Sequence, residues 1–146
     1  MAQETGGESV TVDTLLESSL DSVDRAEEMV TAAARSAGFP EGDLEKIAMA
    51  VRESMVNAIV HGNRYNSNKK VHLSVLSARD HLTVKIADEG SGFDLATLPD
   101  PLARENLLRH SGRGIFLIQA FVDEFRVRRL SPAGTEVQLT KYLSHS

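Results

Sequence analysis

The sequence lacks several features that would mark particular function classes. It has no cysteine, so it forms no disulfide and no thiolate metal site, which fits a reducing compartment. Tryptophan is also absent, and no basic run carries interleaved aromatic residues. Acidic residues number 21 against 16 basic ones. Direct binding to nucleic acid is therefore not expected.

Long hydrophobic stretches are missing as well. No segment approaches the roughly 18 apolar residues that suggest a membrane span. The first residues are polar and acidic, unlike the basic start of a secretory signal. The five histidines are scattered and form no recognisable zinc pattern. These features predict a cytoplasmic protein that does not bind a membrane.

The length and the order of local patterns predict one domain. The 146 residues suffice for one core but not for two ordinary domains. Residues 1–8 are expected to form a flexible tail and residues 9–146 the domain. The patterns follow the order βααββαββ. This order predicts an α/β fold: a two-layer sandwich with a mixed, mostly antiparallel sheet and helices on one face.

The predicted bounds follow from periodicity and from stop residues. Asp43 is expected to cap the second helix, which runs to about Val60 or His61. The stretch from Asp94 to Ser111 has no sustained period and is interpreted as a mobile loop over a ligand. The other predicted helices cover 22–37 and 114–122, and the predicted strands cover 10–16, 71–76, 82–87, 124–130 and 135–143.

The first candidate site segment lies in the second helix. Glu53 and Asn57 are four residues apart, so they lie on one side of the helix. Apolar residues flank the pair, which favours a cleft over a solvated face. An amide oxygen can hold a hydrated Mg²⁺, and a free carboxylate can accept a proton. Taken alone, the segment also fits an amphipathic helix with two polar surface residues.

The second candidate segment follows a predicted strand. Asp88 stands at the strand end, where ligand crevices often open in α/β folds, and its carboxylate could accept the amino hydrogens of adenine. Gly90 and Gly92, just before Phe93, would let the backbone lie against a flat base or a phosphate. A tight turn after a strand explains the same residues.

The third candidate segment precedes an apolar helix. Gly112 and Gly114 would place amide groups at the helix N-terminus, next to Ile115, where the dipole favours an anion such as phosphate. Arg113 either contacts phosphate or is solvated. A glycine turn into a core helix is the commoner structure for so short a pattern.

Together, the three segments resemble the N box and the two glycine boxes of the Bergerat, or GHKL, ATPase and kinase superfamily. The resemblance covers about residues 10–143. Within the superfamily, the compact length, the short segment between Asp94 and Gly112, the form of the N box from Asn57 to Gly62, and the turn at Gly134 look most like the serine kinases that phosphorylate anti-anti-sigma proteins.

This resemblance implies ATP and Mg²⁺ as cofactors. Carried over by motif, Glu53 is the general base, Asn57 the Mg²⁺ ligand and Asp88 the carboxylate that reads adenine. The implied protein is an anti-sigma factor that phosphorylates a STAS-domain anti-anti-sigma protein, binds a sigma factor, and resembles proteins that are often homodimers. The nucleotide-binding residues that it implies are Asn57, Asp88, Gly90, Gly92, Phe93, Gly112, Arg113, Gly114 and Ile115.

Two other functions also fit the sequence. One is a nucleotide-binding module that sequesters a sigma factor without transferring phosphate. The other is a detached histidine-kinase catalytic domain that phosphorylates a histidine of another protein. Glu53 argues against the first, and the short loop before Gly112 argues against the second.

Overall fold

A computed structural model of the chain describes residues 8–90 and 114–143. The helices of this part are α1 (Asp21–Ala37), α2 (Glu41–Val56), a π-helix (Asn57–Gly62) and α3 (Gly114–Phe121). The strands are β1 (Ser9–Glu17), β2 (Lys70–Ser77), β3 (His81–Ala87), β4 (Glu124–Arg129) and β5 (Thr135–Tyr142).

The sheet has the strand order β1-β2-β3-β5-β4, and the helices pack on one of its faces. All four strand pairs are antiparallel, so within the described residues the sheet is not mixed. The predicted order of elements and the two-layer α/β sandwich are confirmed. None of the described helices is long and apolar enough to cross a membrane.

β1 is an edge strand, and the alternation of inward and outward side chains along it is interrupted. Val12 and Leu16 pack against the core, but Val10 is 61% exposed. The pairing of β1 with β2 shifts its register between Val10 and Val12. An irregularity of this kind turns the preceding side chain to the other face of the sheet, and a period-2 pattern does not reveal it.

The predicted tail ends in an ordered contact. The Glu8 carboxylate accepts hydrogen bonds from Nε2 of His81 at 2.9 Å and from the hydroxyl of Thr83 at 3.2 Å. Residues 1–7 lie outside the described part of the chain. The division of the chain into a flexible tail and a single domain stays a prediction.

The second helix differs from its prediction at both ends. It begins at Glu41 after an extended Pro40, so Asp43 lies in the first turn and is not the cap. Its carboxylate there still complements the helix dipole. After Val56 the chain continues as a π-helix, closed where the N–H of Asn63 donates to the carbonyl of Ala58 at 2.8 Å. Single π-turns of this kind are often found at functional sites.

The hydrophobic core lies between the sheet and the helices. α1 packs along α2, and α2 also contacts α3. The side chains at the centre of this layer are almost completely buried. They include Ala26, Val30, Ile47, Val51, Met55, Ile59, Leu73, Val75, Val84, Ile118 and Leu139.

A leucine on β2 provides a test of this core. Leu73 is fully buried, so Leu73→Ala should leave a cavity and lower the free energy of unfolding by about 2–5 kcal/mol. Leu15, on β1, is 65% exposed and serves as the matched control. Leu15→Ala should change the free energy by less than about 0.5 kcal/mol. Urea denaturation measures both, and equal losses would contradict the assigned faces of the two strands.

Candidate functional site

Glu53 and Asn57 stand where α2 passes into the π-helix. The N–H of Asn57 donates to the carbonyls of Glu53 and Ser54, so the two polar residues are one turn apart. Both are partly exposed, while Ser54 and Met55 between them are buried. The pair therefore lies at the border of the core, and its predicted position in a ligand cleft stays a prediction. Its chemical roles stay predictions.

Asp88 lies directly after β3 and is 7% exposed. Its Oδ1 accepts hydrogen bonds from the N–H of Gly90 at 3.0 Å and of Thr135 at 3.2 Å. The N–H of Asp88 in turn donates to the carbonyl of Thr135 at 2.9 Å. No hydrogen bond from a described residue reaches Oδ2. The described residues thus fix the position of Oδ1, while Oδ2 faces Gly62.

The environment of Asp88 changes its acidity. Burial raises the pKa of this carboxyl to about 6, because desolvation disfavours the charged form. The N–H groups of Gly90 and Thr135 and the positive charge of Lys69 act in the opposite direction and offset only part of this effect. A buried carboxyl with a shifted pKa at a strand end is typical of a functional site.

Three glycines allow the backbone to approach Asp88 and its turn. An ideal Cβ on Gly62 would lie 2.2 Å from Oδ2 of Asp88, and one on Gly134 would lie 2.3 Å from the Asp88 carbonyl oxygen. A Cβ on Gly90 would lie 1.8 Å from the carbonyl oxygen of Gly62. The absence of a side chain at Gly90 therefore allows a close approach to the backbone of Gly62. Since Gly62 ends the π-helix, the first and second candidate segments touch.

The third segment is only partly described. Gly114 begins α3 as predicted, and Ile118 of this helix is fully buried. α3 ends at Phe121, one residue earlier than predicted. The remaining predicted residues of the two glycine segments, and the loop between them, lie outside the described residues or have no described side chain. They are Gly92, Phe93, Gly112, Arg113, the side chain of Ile115 and the loop 94–111.

A Mg²⁺ site fits the donors that are present. In the ranges 8–90 and 114–143, no three His, Cys, Asp or Glu side chains converge as a complete metal site would require. Mg²⁺ bound with a nucleotide takes most of its ligands from phosphates and water, and needs only one or two protein oxygens. The partly exposed amide of Asn57 meets this requirement.

Comparisons with known proteins give the family. Residues 16–141 match the histidine kinase-like ATPase domain. The chain belongs to this family. It is also 37% identical over 106 residues to the anti-sigma F factors of Bacillus thuringiensis and Bacillus cereus, an alignment that covers 71% of this chain and 73% of each relative. The predicted resemblance to the anti-sigma branch is confirmed, and the family implies ATP as the ligand.

A solved structure has the same fold. The crystal structure of the RsbU and RsbW domains of a Mycobacterium tuberculosis protein matches with a TM-score of 0.66 at 19% identity. The match covers 93% of this chain and 34% of the other, so the chain spans about a third of that longer protein. At this level of identity the likeness shows the fold alone.

The contact between Gly62 and Asp88 can be tested by adding one methyl group. Gly62→Ala should displace the Asp88 carboxylate and weaken ATP binding by about tenfold or more, because a buried acceptor loses its alignment. Gly42, also helical, has no atom within 4 Å of its ideal Cβ. Gly42→Ala gains a similar helix propensity and should leave ATP binding unchanged. Calorimetry compares the two variants, and equal ATP affinities would contradict a role of this contact in ATP binding.

The pKa of Asp88 predicts a pH dependence of stability. The folded protein holds this proton up to a pH of about 6, whereas the unfolded chain releases it near 3.8. Ionisation of Asp88 therefore lowers the free energy of unfolding as the pH rises through this window. Relative to wild type, Asp88→Asn should gain up to about 3 kcal/mol between the two pH limits. A ¹³C titration of the carboxyl gives the midpoint directly, and an ordinary midpoint would contradict the burial.

Proposed function

We propose that this protein is an ATP-dependent serine/threonine-protein kinase and anti-sigma factor that phosphorylates a STAS-domain anti-anti-sigma protein. The observation that most supports it is the contact of Gly62 with the Asp88 carboxylate. Through this contact, the helix that carries Glu53 and Asn57 ends against the residue proposed to read adenine. The proposed general base, the proposed Mg²⁺ ligand and the carboxylate proposed to read adenine would thus share one cleft.

Adenine recognition follows from the two unequal oxygens of Asp88. Oδ1 is fixed by the N–H groups of Gly90 and Thr135, which orients the carboxylate plane. Oδ2 then accepts a hydrogen from the adenine amino group. In a buried site this hydrogen bond is stronger than in water, and a base without a donor there would leave the acceptor unsatisfied.

The proposed chemistry is an in-line transfer of the γ-phosphoryl group. The hydroxyl oxygen of a serine or threonine attacks the γ-phosphorus while Glu53 accepts the hydroxyl proton. The bond between the γ-phosphorus and the oxygen that links it to the β-phosphate breaks, and ADP is released. Asn57 would hold Mg²⁺, which when bound offsets the negative charge on the phosphates. The N–H groups at the start of α3, near Gly114, would donate hydrogen bonds to phosphate oxygens.

The proposed partners follow from the relatives. Those relatives are named anti-sigma F factors, and this name supports a sigma factor as a partner of this chain. In the proposed cycle the STAS-domain protein competes for the kinase until phosphorylation adds about two negative charges and weakens its binding. The surface is then free for the sigma factor. A cytoplasmic location and a homodimer belong to the same proposal.

A sequestering module without phosphotransfer is the second candidate. The relatives' name describes an action on a sigma factor, and a module that only binds the sigma factor would also perform this action. The stability of the product separates the candidates. Phosphoserine survives mild acid, the phosphohistidine of a detached histidine-kinase domain does not, and a pure binding module yields neither.

Glu53 gives the decisive variant. Glu53→Gln retains the length of the side chain but cannot accept the proton, so phosphotransfer should fall by the 10²- to 10⁴-fold typical of a general base. ATP affinity should be retained. The measurement is transfer of labelled γ-phosphate from ATP to the STAS-domain proteins encoded near this protein's gene, with an acid-stable product expected.

The matched control is Glu45→Gln. Glu45 is an exposed glutamate on the same helix, and its substitution should leave the transfer rate unchanged. Normal transfer by folded Glu53→Gln protein would remove Glu53 as the base. Absence of transfer in wild type, with intact binding of ATP and of a sigma factor, would favour the sequestering module.

A further inference from the structure

Asn63 is a buried polar residue next to the candidate site that the mechanism does not use. It follows the π-helix directly and is 2% exposed. Its side chain makes three hydrogen bonds, which join parts of the chain that are distant in sequence. Nδ2 donates to Oγ of Ser18 at 2.8 Å and to the carbonyl of Lys70 at 3.0 Å, and Oδ1 accepts from the N–H of Glu89 at 2.8 Å.

The Glu89 end of this network belongs to the Asp88 turn. Glu89 separates Asp88 from Gly90, whose N–H holds Oδ1 of Asp88. Gly62, the neighbour of Asn63, contacts Oδ2 of the same carboxylate. Gly62 therefore packs closely against Asp88, and the adjacent Asn63 accepts a hydrogen bond from the adjacent Glu89.

The other end of the network is anchored firmly. Ser18 is 5% exposed, and its hydroxyl donates to the carbonyl of Lys69, so Ser18 can accept from Asn63 without competition from water. The N–H of Lys70 also donates to the carboxylate of Glu89, a second link between the start of β2 and the turn. The Asp88 turn is therefore connected to the start of β2 in two ways, through Asn63 and through the side chain of Glu89.

The backbone after Asn63 adds a second observation. Arg64 and Tyr65 both have left-handed backbone conformations, with φ of 52° and 59°. Such angles are unfavourable for residues with side chains and persist only where the surroundings impose them. The N–H of Tyr65 donates to the carbonyl of Ile59 at 2.9 Å. This bond and the two left-handed residues fix the backbone directly after Asn63.

We propose that Asn63 is a positioning residue for nucleotide selection: by holding the Glu89 amide, it aligns Oδ2 of Asp88 with the amino group of adenine. This inference rests on the proposed adenine-reading role of Asp88. Without Asn63, the Glu89 N–H loses its partner and the turn moves toward water to satisfy it. The Asp88 carboxylate then keeps its charge, but Oδ2 no longer points at the position where adenine carries its amino group. The site would then distinguish less well between a hydrogen-bond donor and an acceptor at that position of the base.

The test compares ATP with ITP, whose base carries a carbonyl where adenine carries the amino group. Wild type should bind ATP more tightly, and Asn63→Ala should reduce this preference about tenfold. Ser18→Ala, which keeps Asn63 but removes one of its anchors, should reduce it about threefold. Asn68→Ala is the matched control, because Asn68 is an exposed asparagine in the same loop.

A double-mutant cycle with Asp88→Asn separates positioning from general damage. If Asn63 acts through Asp88, adding Asn63→Ala to Asp88→Asn changes the ATP to ITP ratio no further. Equal loss of affinity for both nucleotides in Asn63→Ala would overturn the inference and leave a purely structural role. If Asn63→Ala does not fold, an unchanged preference in Ser18→Ala overturns it.

The wild-type result distinguishes this inference from the proposed function. Binding of ATP and ITP with equal affinity by wild type would overturn both the adenine role of Asp88 and the positioning role of Asn63. A clear preference in wild type that survives in Asn63→Ala overturns only the positioning role. Calorimetry on the full chain supplies all of these affinities.

Discussion

The close approach of Gly62 to the Asp88 carboxylate is the constraint on which the rest of the site depends. The space between them does not admit a methyl group. The π-helix and the end of β3 must therefore keep a fixed separation. The buried side chains of Met55, Ile59 and Ile86 belong to the core on which these two elements pack. Core packing thus sets the distance between Gly62 and the Asp88 carboxylate, because a small change in packing would move the carboxylate.

The change from α- to π-helix is part of the same constraint. A π-turn contains one more residue than an α-turn needs, so the chain reaches Asn63 with a different orientation. The bond from the N–H of Asn63 to the carbonyl of Ala58 closes this wider turn. Gly62 and Asn63 can then both contact the Asp88 turn, and the unusual helix end connects Asn57 with that turn.

Sequence patterns predicted the order of elements and the three candidate segments, because both depend on local spacing. The π-helix was not predictable in this way, since Ala58 and Ile59 are buried in either kind of helix. A polar residue after a glycine, such as Asn63, is typical of an exposed loop. Its burial depends on Ser18 and Glu89, which are 45 and 26 residues away in the sequence. Contacts at such separations leave no periodic signal.

Burial of Asp88 has opposite effects on stability and on binding. Desolvation raises the pKa of the carboxyl and makes its charged form costly in the free protein. Oδ2 receives no hydrogen bond from a described residue, so a ligand donor would supply one where it is strongest. In the proposed complex, the amino group of adenine offsets part of the desolvation, and the nucleotide stabilises the fold by binding only to the folded state. A base with a carbonyl at that position would instead add a second unsatisfied acceptor. In this proposal, selectivity for adenine would arise from the same unfavourable burial that reduces the stability of the free protein.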